Sequence, residues 1–317
     1  MYTQPLVTVF TPTYNRAHTL HRVFDSLRAQ TLSDFEWLVI DDGSDDKTRA
    51  LIKDWSGSSN FTIRYFRQER AGKHSAHNRA IREAHGYFFA CVDSDDALVP
   101  GALEKLTSLW NSIPEHERPT FYAVAGLCRD QSGKIVGDCF PTDPFDADSR
   151  ELTYVHHIKG EKWGFGLTGV LRRYPFPNVS GADFIPEGIV WLSVAKSFKT
   201  RWTNEVVRTY YINDRETGTS LSRRVSLGDH GLGRWHYYTW LLNNDLEYFL
   251  RSPMPFLKAA VILPILAYFA KQSLGTTLRS LNSIAAKALV LSALPVSFCL
   301  YTFDRMRSRA RTILSKR

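Results

Sequence analysis

Cysteine is scarce in this 317-residue chain. The four present (Cys91, Cys128, Cys139 and Cys299) are scattered and never spaced as CxxC. That argues against a zinc finger or a disulfide framework and suits a reducing cytosol. No charged start followed by an apolar stretch precedes 6-LVTVF-10, so no signal peptide is expected. Internal repeats and low-complexity tracts are missing as well. Long apolar runs are missing too: the uncharged stretches 259–270 and 288–303 have twelve and sixteen residues and each contains a proline, Pro264 or Pro295. Both fall short of the about 20 residues that cross a bilayer.

Acids are nearly absent from one region. Residues 251–317 carry eleven Lys/Arg and a single acid, Asp304, a local charge of +10 within a net +8. The first 250 residues stand at -2, so the basicity belongs to the tail. A generally basic surface would suggest nucleic acid, and none is expected here. A basic tail interleaved with apolar runs suggests an anionic membrane surface, or else a helical cap on the globule. Within it, 274-LGTTLRSLNSIAAKAL-289 places Leu274, Leu278, Leu281 and Ala285 on one helical face.

What is present is a soluble core. Hydrophobic residues make up 44% and the mean hydropathy is -0.25. The first hundred residues alternate strand and helix signals. Strands are expected at 6–11, 35–44, 61–66 and 87–93, and helices at 17–30, 47–55 and around 73–86. Such alternation predicts right-handed crossovers and a parallel α/β sheet, with ligands bound beyond the carboxyl ends of the strands. Three polar clusters follow strands: 12-PTYNR-16, 41-DDGSDD-46 and 93-DSDD-96. Beyond residue 100 the pattern is less regular. A helix is expected at 101–113, a strand at 120–128 and a helix at 189–198. The segment 160-GEKWGFGLTGVL-171 combines Gly and aromatics, and 174–188 is Pro-rich.

Asp93, Asp95 and Asp96 lie within four positions and repel one another at neutral pH. A divalent cation is one reason for such a cluster. Mg2+ or Mn2+ favours a few carboxylates plus substrate phosphates. A solvated, helix-capping acidic loop is the other reading.

The surroundings weigh toward the metal. The stretches 8-TVFTPTYNR-16, 35-FEWLVIDDGSDDKT-48, 70-RAGKHSAHNRAIREAHGYFFACVDSDD-96 and 183-DFIPEGIVW-191 resemble the family 2 glycosyltransferases, over roughly residues 5–215. The resemblance implies a GT-A fold, a Rossmann-like and mostly parallel sheet flanked by helices. It implies transfer, with inversion, from a nucleotide-diphosphate sugar, UDP- or GDP-linked, to a glycan or lipid-linked acceptor. It assigns Pro12, Tyr14, Asn15 and Asp41 to the nucleotide, Lys73 and Asn78 to the donor, and Asp93, Asp95 and Asp96 to Mn2+ or Mg2+. Asp93 and Asp95 would also meet the donor. Asp42 is expected to hold its loop through local bonds. Glu187 is the implied base, with Asp183 as the alternative because the usual second acid after Glu187 is Gly188. Trp163 is a candidate acceptor platform, since aromatic planes stack on sugars, and a candidate core residue as well. His74, His77 and His85 are expected to be surface or packing residues.

The expected organisation is a catalytic domain over 1–215, a helical connector over 216–250 and a basic, apolar helical segment over 251–317. The expected location is peripheral, on the cytoplasmic face of a membrane. Two rival functions are a nucleotidyltransferase and a catalytically inactive membrane scaffold. PTYNR is not the Gly-rich basic loop the first wants, and intact DSDD and PEG argue against the second.

Overall fold

The computed structural model describes residues 4–212 and 228–314, with side chains to residue 306. Residues 216–227 of the expected connector lie outside the described residues. The chain divides into two compact units. The first comprises residues 4–178 with 190–212; the second comprises 179–189 with 228–314.

The first unit holds a nine-stranded sheet. Its strands are β1 (Val7–Thr13), β2 (Phe35–Asp41), β3 (Thr62–Arg67), β4 (Phe88–Cys91), β5 (Ala97–Leu98), β6 (Phe121–Arg129), β7 (Phe145–Ala147), β8 (Lys162–Leu167) and β9 (Lys199–Thr209). The spatial order is β3-β2-β1-β4-β8-β6-β9-β5, with β7 paired to β9. β3, β2, β1 and β4 run parallel, as the alternation predicts. β8 then enters antiparallel between β4 and β6, which the sequence did not announce.

Helices α1 (His21–Arg28), α2 (Thr48–Ser58), α3 (Lys73–Glu83), α4 (Ala102–Asn111), α5 (Ser149–Tyr154), α6 (Thr168–Leu171) and α7 (Gly188–Val194) join these strands. Strand alternation builds two apolar faces. Val7, Val9, Trp37 and Val39 pack with Leu20, Val23 and Leu27 of α1 and Leu103 and Leu106 of α4 in the main core. On the other face Phe10 meets the rings of His77 and Phe89. His74 and His77 are therefore buried packing residues.

Register carries the site. Thr13 pairs with Asp41, and Asp41 with Arg67, so β1, β2 and β3 end at one level. Phe10 pairs with Cys91, which puts the DSDD loop at that same edge.

The second unit contains α8 (Gly231–Asn244), α9 (Pro253–Phe269), α10 (Leu274–Arg279) and α11 (Ile284–Leu314). Two expectations are corrected here. The amphipathic helix over 274–289 breaks between Arg279 and Ile284, because Leu281 turns into the core while Ala285 is left exposed. The uncharged run 288–303 is not isolated either. α11 continues through Pro295, and its 23 residues Ile284–Met306 are long and apolar enough to cross a membrane by length and composition.

Candidate active site

The loops after β1, β2, β3 and β4 are tied to one another by side chains. Asn15 adopts a left-handed conformation (φ 52°), which Asn tolerates better than most residues. It accepts from Asp45 N with Oδ1 and donates its own N–H to Ser44 Oγ, both at 2.9 Å. Asp46 accepts from Ala17 N at 2.9 Å. Asn15 thus fastens the PTYN loop to the DDGS loop.

Asp41 is buried. Its Oδ1 accepts from Ser44 N at 2.8 Å and its Oδ2 from the Tyr65 hydroxyl at 2.5 Å. Burial, followed by that bond to Asp41, pushes the Tyr65 hydroxyl well above its ordinary range, so it stays a donor. Asp42 reaches further than local turn bonding. It accepts from Gln68 Nε2 at 2.8 Å, Ala71 N at 2.9 Å and Gly72 N at 2.8 Å. Those bonds pin the segment that starts α3, and Gly72 (φ 89°) supplies a turn that other residues disfavour.

Lys73 follows directly, and its Nζ lies 2.6 Å from Asp93 Oδ1. Arg16 stands 3.8 Å from Asp95 Oδ2, and Arg22 donates to Asp95 O at 3.2 Å while covering the Tyr211 ring at 4.2 Å. The acidic loop is therefore ringed by cations. Burial works against the Asp93 charge, but Lys73, Arg208 and Arg16 together outweigh it and hold the carboxyl below its ordinary value. Asp95 is raised, first by burial and then by the negative charge of Asp93.

Asp96 differs from its neighbours. Its side chain is 1% exposed, against 33% for Asp93 and 27% for Asp95. It pairs with Arg208 at 3.3 Å and accepts from Tyr211 N at 3.1 Å. Burial, opposed by Arg208 and reinforced by Asp93 and Asp95, pushes it up to about 7. Asp96 faces inward, where its pair with Arg208 ties the DSDD loop to β9. Among the described residues no group of three or more His, Cys, Asp and Glu side chains comes together as a metal site. Asp93 and Asp95 do fit a hard cation. They are adjacent, partly open oxygen donors whose repulsion is only partly offset, and Mg2+ commonly takes one or two carboxylates and completes its shell with phosphate and water.

Three further candidates are engaged within the fold. Pro12 is a buried strand residue. Phe10 O accepts from Val92 N and Thr13 O from Asp42 N, so alternation turns the Pro12 nitrogen toward β4, past the last paired residue, where a missing N–H costs nothing. Asn78 spends its amide on one residue, donating to Phe176 O and accepting from Phe176 N, both at 2.9 Å. Trp163 is 4% exposed in the main core, and its indole N–H donates to Cys91 O at 2.6 Å. That leaves no ring face for a sugar. Gly164 serves the sheet likewise: a Cβ there would lie 1.9 Å from Val124 O of β6. Trp163→Phe should accordingly cost about 1–3 kcal/mol of stability, the usual cost of a lost hydrogen bond together with lost core volume, and leave the acceptor KM unchanged. Chemical denaturation and steady-state kinetics would measure the two; a raised KM without a stability loss would restore the platform role.

Tyr14 stays 36% exposed, with the Arg70 guanidinium 4.2 Å above its ring and bonded to its hydroxyl at 3.1 Å. Asp183 and Glu187 belong to the second unit. Asp183 Oδ2 lies 2.9 Å from His230 Nδ1, and Glu187 is half-buried just ahead of α7. Sequence reading missed Arg22, Arg70 and Arg208. Arg208 sits on β9, a strand too polar to be recognised.

A glycosyl transferase family 2 model matches residues 8–116. The Escherichia coli protein UDP-Glc:alpha-D-GlcNAc-diphosphoundecaprenol beta-1,3-glucosyltransferase WfgD is 37% identical over 200 residues, covering 60% of this chain and 70% of its own length. Chondroitin synthase of Pasteurella multocida is 39% identical over 100 residues, 32% of this chain. This chain spans 10% of that synthase and 23% of another curated relative, from Rickettsia bellii. Among solved structures, Staphylococcus aureus TarS 1–349 in complex with UDP-GlcNAc has a TM-score of 0.57 at 19% identity, covering 92% of this chain and 80% of that one. That likeness carries the fold, and the mostly parallel sheet with flanking helices is the expected GT-A architecture.

Proposed function

This chain belongs to glycosyltransferase family 2 and is a glycosyltransferase; from that premise we propose that it transfers a sugar, with inversion and with a divalent cation, from a nucleotide-diphosphate sugar to a lipid-linked glycan. The observation that carries the donor half is the Asp93–Asp95 pair, ringed by Lys73 and Arg16 at the carboxyl edge of β1 and β4. Asp93 and Asp95 would hold Mn2+ or Mg2+, which when bound offsets the charge of the departing diphosphate. Lys73 offers a point charge and Arg16 a planar fork of N–H donors, both suited to phosphate oxygens. Tyr14 offers a ring for stacking on the base, and Asp41 retains lone pairs for a base N–H beside the two bonds it already accepts. Glu187 takes the proton of the acceptor hydroxyl as the sugar is displaced in a single step, with Asp183 as the alternative base.

A UDP-sugar is the favoured donor. TarS was crystallised with UDP-GlcNAc, and WfgD is named for UDP-Glc and a diphosphoundecaprenol-linked acceptor. A polyprenyl-diphosphate acceptor would also give the basic, apolar segment 251–317 a purpose, which is to hold the enzyme at the cytoplasmic face of the membrane. The expected result is that, in a panel of UDP- and GDP-sugars, one UDP-sugar is turned over, that EDTA stops turnover, and that Mn2+ or Mg2+ restores it. Turnover indifferent to EDTA would remove the cation from the reading; exclusive use of GDP-sugars would overturn the favoured donor.

A further inference from the structure

The outward side of α11 has the wrong polarity for water. Ala286 and Val290 are fully buried, and so is Ser297, whose Oγ donates to Val261 O of α9 at 2.7 Å. This stripe seats α11 on α9. The opposite side and its flanks carry Leu291, Val296, Phe298, Leu300 and Phe303, each between 36% and 68% exposed. No charged residue interrupts the helix from Ala288 to Phe303. A water-facing helix normally places charged and polar residues on its outer side. Here apolar side chains occupy both.

Charge marks the occupant. Lys287 precedes the apolar face and Arg305 follows it, and the sequence continues with Arg307, Arg309, Arg311, Lys316 and Arg317. Cations at the borders of an apolar face complement anionic headgroups around an acyl layer. A protein partner or a second copy would cover the same side chains, but neither explains the run of arginines that follows them in the sequence.

Orientation follows from the neighbours. α9 packs against both α8 and α11. Trp235 Nε1 of α8 donates to Thr277 Oγ1 of α10 at 3.2 Å, and Asn243 Nδ2 donates to Ser280 O at 2.8 Å. These helices form one bundle. An upright α11 would carry α9 and α8 into the hydrocarbon layer with it, including Arg234, His236, Asn243 and Asn244. Such groups are expensive at the bilayer centre. Lying flat, α11 buries only its outer side and leaves α8 in water.

We infer that the Leu291–Phe303 side of α11 is seated in one leaflet of an anionic bilayer, with the helix lying along the surface and not crossing it. This rests on the membrane location proposed above, and not on the sugar-transfer reading. The test uses the full chain and vesicles of phosphatidylcholine, alone or mixed with phosphatidylglycerol. In a flotation gradient the protein should rise with the mixed vesicles at low salt, and less with neutral vesicles or in high salt. Serine at Leu291, Val296, Phe298 and Phe303 together should lower the bound fraction roughly tenfold or more. These side chains are exposed, so the variant's thermal melt should match the parent's. For orientation, Ile284→Cys and Met306→Cys are placed singly in a Cys139→Ser, Cys299→Ser chain bound to vesicles. A membrane-impermeant maleimide should reach both from outside. A parent that stays at the bottom of the gradient removes both the location and the inference. Flotation indifferent to the serine variant, a soluble dimer that the variant dissolves, or labelling of only one helix end overturns the inference and leaves the location standing.

Discussion

Asp95→Ala should lower turnover by roughly three orders of magnitude, several kcal/mol of charge stabilisation at the transition state, while the protein stays folded. The two expectations have one source. Burial and the Asp93 charge raise the Asp95 carboxyl above its ordinary 3.8, so its charged form is disfavoured in the folded state. An acid whose folded pKa is raised costs stability once pH exceeds the unfolded value, and costs nothing below it. Removing it should therefore leave stability unchanged in strong acid and raise it slightly at neutral pH, when no cation is present. Melting curves in EDTA across that range, beside initial rates with Mn2+, check both halves. A variant that keeps cation-dependent turnover would end the assignment of Asp95. One that unfolds at neutral pH would show that its contact with Arg16 matters more than its repulsion from Asp93.

Glu187→Gln should keep donor binding and lose roughly two to four orders of magnitude in kcat, the usual worth of a positioned base. Amide for carboxylate keeps the shape and removes the basicity. Asp183→Asn is the matched comparison. Asp183 is held against His230 at 2.9 Å, and its side chain is otherwise largely exposed, so its loss should change kcat only a few-fold. Rapid-mix kinetics with saturating donor would separate the pair. A dead Asp183→Asn beside a fully active Glu187→Gln moves the base by four residues.

The parallel half of the sheet was legible because its strands are apolar and separated by amphipathic helices with the expected period. The antiparallel half was not. β9 reads KTRWTNEVVRT and buries Arg201, Arg208, Thr200 and Thr203, and its two arginines are made tolerable by partners far off in sequence, Asp146 with Arg201 and Asp96 with Arg208. No local pattern announces such pairs. β8 carries no strand signal of its own, since its glycines are poor strand formers in isolation, yet Gly164 is what lets β6 approach. Within the site, the edge where Lys73 meets Asp93 follows from strand order and could be anticipated. The fates of Asp96, Asn78 and Trp163 could not. Each is decided by whether a side chain faces inward, a matter of one residue's register. Residues 188–194 did form a helix, shorter than the expected 189–198. In the tail, composition revealed the charge but not that α11 runs unbroken through Pro295.

Asp42 has a consequence for anyone who would retool this enzyme for another nucleotide. Its carboxylate joins the turn that follows Asp41 to the backbone of Ala71 and Gly72, one residue from the lysine that grips Asp93. On the proposed function, nucleotide selection and phosphate handling would share a hinge pin, and neither could be redesigned as a separate module. A substitution that reshapes the turn to admit a bulkier base should also displace Lys73, and surface first as altered cation preference. Directed changes of donor would then succeed in pairs, one in the turn and one in residues 70–73, where single changes fail.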